Sequence, residues 1–169
     1  MRIKTLTYLL AALFLATACA ETMQDGGAGQ GSGGNQQANT AASSVKPGTG
    51  RDFVVNVGDR VFFEFDKSSL SSNARSQLEK QAAWLKKFGN ISLTLEGHAD
   101  ERGTREYNLA LGERRANSAK DFLVALGVAP NRIKIISYGK ERPAALGQNE
   151  AAWRQNRRAV TVVVGGFGS

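Results

Sequence analysis

Between residues 20 and 52 the chain carries almost no large apolar side chain, and this gap decides where it can fold. Gly, Ala, Ser, Gln, Asn and Thr dominate the stretch, which buries too little surface to offset the entropy of ordering it. The stretch is expected to be a flexible tether with a root-mean-square span of about 30 Å. Eight of the 19 glycines lie between Gly26 and Gly50, so the glycine excess of the chain belongs largely to this segment. Any sizeable core must therefore come from residues 53–169, enough for one modest domain.

The residues before the gap form a processing signal over 1–18. Arg2 and Lys4 precede an apolar run from Leu6 to Ala18, which is too short to span a bilayer needing about 20 apolar residues. The run ends in Ala16-Thr17-Ala18 and leads into Cys19, the single cysteine of the chain. This resembles a bacterial lipoprotein signal, cut before a cysteine that then carries the lipid. Ala16 departs from the leucine usual in that pattern, and Ala20 stands where an aspartate would retain a lipoprotein in the inner membrane. The resemblance thus implies an outer-membrane anchor at Cys19. An ordinary secretory signal cut after Ala16 or Ala18, with a free thiol left behind, is the alternative. One Cys excludes an intrachain disulfide framework, and with one His it leaves too few ligands for a Cys/His zinc site.

Downstream, strand and helix patterns alternate. Val61 to Phe65 is a short β-type run that breaks at Asp66-Lys67-Ser68-Ser69. Leu70, Ala74, Leu78, Ala82 and Leu85 form one stripe of a helix over 72–88, with Gly89 as its C-cap. Ile91, Leu93 and Leu95 alternate with polar residues as a strand, followed by a turn-rich stretch from Gly97 to Arg105. Leu109, Gly112, Ala116, Ala119, Leu123 and Leu126 make the buried stripe of a second helix ending at Gly127, and its small residues predict close packing on a sheet. Ile133, Ile135 and Ser137 give a third strand, Glu150 to Asn156 a short helix, and Ala159 to Val164 a last strand able to pair antiparallel. The expected fold is α+β, a two-layer sandwich of a mixed sheet with helices mainly on one face.

Chemistry concentrates between Gly97 and Arg115. Asp100 follows a strand and can accept hydrogen bonds from an ammonium, while Arg115 can fork onto a carboxylate. Asn108, Leu111 and Arg115 share a stripe about 100° from the core stripe, which puts Arg115 at the rim of the core. Together the two charges suit a zwitterionic amino-acid end. Spacing alone equally allows Asp100 and Arg115 to bridge each other, or to be solvated separately.

Leu95-Glu96-Gly97-His98-Ala99-Asp100-Glu101-Arg102-Gly103-Thr104, Tyr107-Asn108 and Leu111-Gly112-Glu113-Arg114-Arg115-Ala116 resemble the signature of the OmpA-like peptidoglycan-binding domain family. Phe63-Glu64-Phe65-Asp66, Ser137-Tyr138-Gly139-Lys140-Glu141-Arg142-Pro143 and Asn156-Arg157-Arg158-Ala159-Val160 match further segments of that family in order. The resemblance spans nearly the whole domain and implies a βαβαβ(α)β chain with a four-stranded sheet. It implies that Asp100 and Arg115 bind the free end of meso-diaminopimelate in the peptidoglycan stem, and that Phe65, Asp66, Arg102, Asn108 and Leu111 line the same pocket. It implies non-covalent binding with no cofactor. Its lipid-anchored members also associate with the Tol system, including TolB and TolA, in envelope integrity and cell division. The resemblance further implies that the surface used by TolB overlaps the wall site, so that the two partners compete.

Other classes fit less well. His98 with Asp100 and Glu101 lacks a second His and crowds one loop, so His98 is expected to be a hydrogen-bonded loop residue rather than a metal ligand. Glu96 with Asp100 or Glu101 could form a glycosidase pair, making a wall hydrolase the alternative function. The formal charge of +7 falls to +5 once Arg2 and Lys4 leave with the signal. The remaining basic residues are dispersed without an aromatic stacking platform, which argues against nucleic acid. Trp84 and Trp153 read as core or rim packing. The tail Gly165-Gly166-Phe167-Gly168-Ser169 has no physical account.

Overall fold

The computed structural model describes residues 45–165. The signal segment, Cys19, the tether to residue 44 and the tail from 166 lie outside the described residues. Within them the order is α1 (Gly50–Asp52) running into a π turn (Phe53–Val57), β1 (Arg60–Phe62), α2 (Ser72–Lys87), β2 (Ser92–His98), α3 (Arg105–Ala125), β3 (Ile133–Gly139), α4 (Glu150–Asn156) and β4 (Arg158–Val164). The strands form one sheet in the order β1-β4-β2-β3. β4 pairs antiparallel with both β1 and β2, and β2 pairs parallel with β3. The expected mixed α+β sheet is thus present.

Period-2 alternation sends Leu93 and Leu95 of β2 into the helical layer, against Leu78 and Leu85 of α2 and Ala116, Ala119 and Leu123 of α3. Ser71 caps α2 by accepting a bond from the Ala74 N–H at 3.2 Å. Thr104 does the same for α3 through Tyr107 N–H. At the far end of α3, Gly127 takes φ +94° while Val128 N–H reaches the Leu123 carbonyl at 3.0 Å, which closes the helix with a glycine turn.

Four sequence expectations shift. Residues 48–52, placed in the tether by composition, are folded: Thr49 caps α1, and Asp52 accepts bonds from Trp84 Nε1 at 2.8 Å and Gly48 N–H at 2.9 Å. A buried indole N–H needs an acceptor, and a polar stretch can supply one. The first strand ends at Phe62 rather than Phe65, because the chain turns at Glu64–Lys67 with Asp66 at φ 55°. β2 runs through His98, so the turn begins at Ala99. Gly89 is absent from the left-handed positions, and α2 ends on Phe88, whose N–H bonds the Trp84 carbonyl.

Small residues fix the distance between α3 and the sheet. A Cβ on Gly97 would collide with the Gly112 carbonyl oxygen, and one on Gly112 would meet Ser137 Oγ and lie 2.8 Å from the Gly97 oxygen. Ser137 Oγ in turn donates to the Leu109 carbonyl at 2.6 Å. Gly97→Ala is therefore expected to destabilise the domain by about 2 kcal/mol or more, since backbone must move. A Cβ on Gly89 meets nothing within 4 Å, so Gly89→Ala should stay within about 0.5 kcal/mol of the parent in urea denaturation.

Candidate functional site

Three chain segments converge where β2 ends, and Arg115 joins them. Its side chain is fully buried, not at the rim as its stripe suggested. Nε donates to the Lys67 carbonyl at 2.9 Å, Nη1 to the His98 carbonyl at 2.8 Å and Nη2 to the Glu64 carbonyl at 3.1 Å. Among the described residues one N–H on each terminal nitrogen stays unspent, because a guanidinium offers five donors. Burial pushes its pKa down to about 10, partly offset by Asp100, so it is charged at neutral pH.

Asp100 does not bridge to Arg115 and is not solvated. Its Oδ1 accepts from Arg102 N–H at 3.2 Å and Arg102 Nε at 3.1 Å. Oδ2 accepts from Arg102 Nη2 at 2.7 Å and Arg157 Nη1 at 3.4 Å. Burial pushes the carboxyl up, but these bonds outweigh it and hold the pKa below the ordinary aspartate value. The Arg102 guanidinium also lies between two rings, 3.9 Å from the Phe65 centroid and 4.0 Å from that of Trp153. Trp153 therefore packs at the rim of the site, and its indole N–H donates to Glu101 Oε1 at 3.1 Å.

Between these groups lies a pocket of about 170 Å³, lined by Phe65, Asp66, Asp100, Arg102, Gly103, Tyr107, Asn108, Leu111 and Arg115. All seven pocket residues named from the sequence meet here, and Gly103 and Tyr107 join them. Asn108, almost wholly buried, donates to the Arg102 carbonyl at 2.9 Å and so braces the turn. The Tyr107 hydroxyl donates to Asp66 Oδ1, a bond that raises the phenol pKa. Asp66 holds its left-handed backbone at the pocket mouth, a conformation aspartate tolerates better than most residues.

Sequence reasoning missed Arg157. Its side chain is almost wholly buried, with Nε on the Phe63 carbonyl at 3.0 Å, Nη1 on Asp100 and Nη2 on Glu150 Oε1 at 2.6 Å. The paired arginines at 157 and 158 were the available signal, since charge before an apolar strand needs an interior partner.

His98 corrects another expectation. It belongs to β2, it is buried, and neither ring nitrogen has a hydrogen-bond partner among the described residues. Its ring lies 5.5 Å from that of Tyr138, with Glu96 Oε2 3.9 Å from Nε2. Burial, then Arg158 and Arg142, lower its pKa from 6.5 to about 4; the Arg142 backbone offsets this in part from outside hydrogen-bonding geometry. Because the unfolded chain takes up this proton first, the contribution is full above pH 6.5 and is lost as pH falls towards 4. Between pH 7 and pH 4 the parent should lose about 3 kcal/mol more unfolding free energy than His98→Leu, measured by urea denaturation.

Residues 62–157 match the model of the OmpA family. A peptidoglycan-associated lipoprotein of Rhizobium meliloti is 56% identical over 128 residues, covering 76% of this chain and 72% of that protein. A crystal structure of the peptidoglycan-associated lipoprotein from Burkholderia pseudomallei superposes with a TM-score of 0.61 at 42% identity, covering 63% of this chain and 90% of that one. The C-terminal domain of Helicobacter pylori MotB shares the fold, with a TM-score of 0.60 at 21% identity over 63% of this chain and 84% of that one. The chain belongs to the OmpA family, and its relatives there include the peptidoglycan-associated lipoproteins.

Proposed function

We propose that the chain is a lipid-anchored, non-enzymatic protein that binds peptidoglycan through the free end of meso-diaminopimelate. The observation that carries this reading is the pocket itself, where a buried carboxylate and a buried guanidinium serve one small cavity. A cavity of about 170 Å³ falls below the usual size of a site for a whole small molecule, and suits one end of an amino-acid side chain. The unspent N–H groups of Arg115 receive the carboxylate that distinguishes diaminopimelate from lysine. The ammonium is placed on Asp100. There it competes with Arg102, whose side chain is 31% exposed, rather than with Arg157 at 2%. The ligand's cation thus takes over bonds already made by an internal one.

The relatives' name, peptidoglycan-associated lipoprotein, supports both halves of the reading. Cys19 carries the lipid, and Ala20 directs the protein to the outer membrane with its domain facing the periplasm. The tether then lets the domain reach the wall, and TolB and TolA are its protein partners in envelope integrity and cell division. Wall hydrolysis is poorly served by the same residues. A general acid needs a raised pKa, whereas Asp100 is held low. Glu96 lies opposite Val160 in the sheet ladder and near His98, and Glu101 is bonded to Trp153.

Retention of the protein on diaminopimelate-type and lysine-type peptidoglycan tests the site. The parent is expected to be retained at least about tenfold better on the diaminopimelate wall, the discrimination a lost charged hydrogen bond supports. Asp100→Asn and Arg115→Lys should both abolish that preference, with circular dichroism confirming that each variant is folded. Equal retention of parent and variants on both walls sinks the assignment. The anchor is tested by labelled palmitate, which should enter the parent and not Cys19→Ala; label that persists in the variant excludes lipidation at this cysteine.

A further inference from the structure

Apart from the site, a groove with a largely apolar lining lies along β1. It encloses about 650 Å³ between the free edge of that strand, the start of α2 and one side of α4. β1 pairs only with β4, in the register Arg60↔Val160, Val61↔Ala159 and Phe62↔Arg158. Thr161 N–H bonds the Asp59 carbonyl and Phe63 N–H bonds the Arg157 carbonyl, so the odd-numbered residues face β4. Alternation then turns the N–H and C=O groups of Arg60 and Phe62 away from β4, on the edge whose residues line the groove. Upstream, Gln77 and Gln81 take the Val57 and Gly58 carbonyls, which ends the open edge there. Phe62 is 48% exposed, an uncommon position for so large an apolar side chain.

An open edge beside a groove is the geometry that receives an added strand. Charge selects the occupant. Arg60, Arg154 and Arg157 line the groove against one acid, Glu64. Arg60 is paired with Asp59, and Arg157 with Asp100 and Glu150, whereas Arg154 has no carboxylate within 4.0 Å among the described residues. The N-terminus of α2 opens on the same groove with no acid in its first turn, so its dipole adds to the positive field. We propose that the open edge of β1 binds an extended acidic segment of a partner protein as a fifth strand. The segment's backbone bonds Arg60 and Phe62, one side chain covers the Phe62 ring, and its carboxylates face Arg154 and the start of α2. A second copy of this chain is a poorer occupant, because it brings a groove carrying the same Arg154 and the same α2 N-terminus rather than carboxylates to meet them.

Fluorescence anisotropy of the full chain tests this with a labelled Val-Glu-Val-Glu-Val-Glu peptide, its Val-Lys counterpart, and versions of the former N-methylated on alternate amides. The acidic peptide should bind at least about tenfold more tightly than the basic one, since like charge disfavours the wrong partner. N-methylation in one of the two alternate registers should abolish binding, because only one set of amides faces β1. Arg154→Glu should weaken the acidic peptide about tenfold. Phe62→Pro should remove the outward donor while leaving the β4 ladder intact, and the N-methylated peptides ask the same question of an unaltered chain. Equal binding of both peptides, indifference to N-methylation, or no binding at millimolar peptide overturns the proposal. So does dimerisation of the chain that Phe62→Pro disrupts without any peptide binding, which would assign the edge to a second copy.

Discussion

One guanidinium organises this domain. Arg115 binds the carbonyls of Glu64, Lys67 and His98, and so ties the loop after β1 to the end of β2 from its place on α3. Burying a charge is costly unless its hydrogen-bonding groups are satisfied. Here neutral carbonyls, not a carboxylate, provide most of the compensation, which leaves the positive charge available. A salt bridge in the same place would have spent that charge.

The complementary charge is handled differently. Asp100 is saturated by Arg102 and Arg157, yet these partners are unequal, one partly exposed and sandwiched between rings, the other buried and tied to the Phe63 carbonyl. The bonds from Arg102 do most to keep the carboxylate ionised, and Arg157 adds a longer one from the interior. In the proposed binding mode the exposed arginine is the one that the ligand's cation displaces. Exchanging one cation for another leaves the charge on Asp100 compensated throughout, so a ligand does not have to desolvate a bare carboxylate. The net gain then depends on the contacts the ligand makes beyond its ammonium, above all to Arg115.

Periodicity made the architecture legible. Leu93 and Leu95 against Thr94 and Glu96, and Gly112, Ala116 and Ala119 along one helix, state which face is buried before any coordinates exist. The site residues came together in the sequence through motif resemblance, while their burial did not. Arg115 lies one residue before Ala116, and a helical wheel puts it on a flank; only the loop folded over that flank buries it. Arg157 and Asp52 escaped notice for the same reason, since each is a polar residue whose partner is distant in sequence: Phe63, 94 residues away, and Trp84, 32 away. His98 misled because a histidine in a polar motif invites a polar role, whereas strand alternation carries its ring onto the sheet face opposite α3.

The pocket and the open edge of β1 have a common origin. Val61 and the residues after it have the β-branched and aromatic character to extend the strand to Phe65, and their pattern favours doing so. Arg115 instead draws the carbonyls of Glu64 and Lys67 towards α3, and Asp66 completes the turn in a left-handed conformation. The strand is left three residues long, Phe65 swings out to stack on Arg102, and the outer edge at Arg60 and Phe62 is not carried on into a longer ladder. A short edge strand limits indiscriminate pairing, since few backbone groups are offered, and specificity must then come from side chains around it. The arginines beside β1 supply such a filter. The same loop that closes the pocket between Asp100 and Arg115 therefore also determines how much edge is exposed.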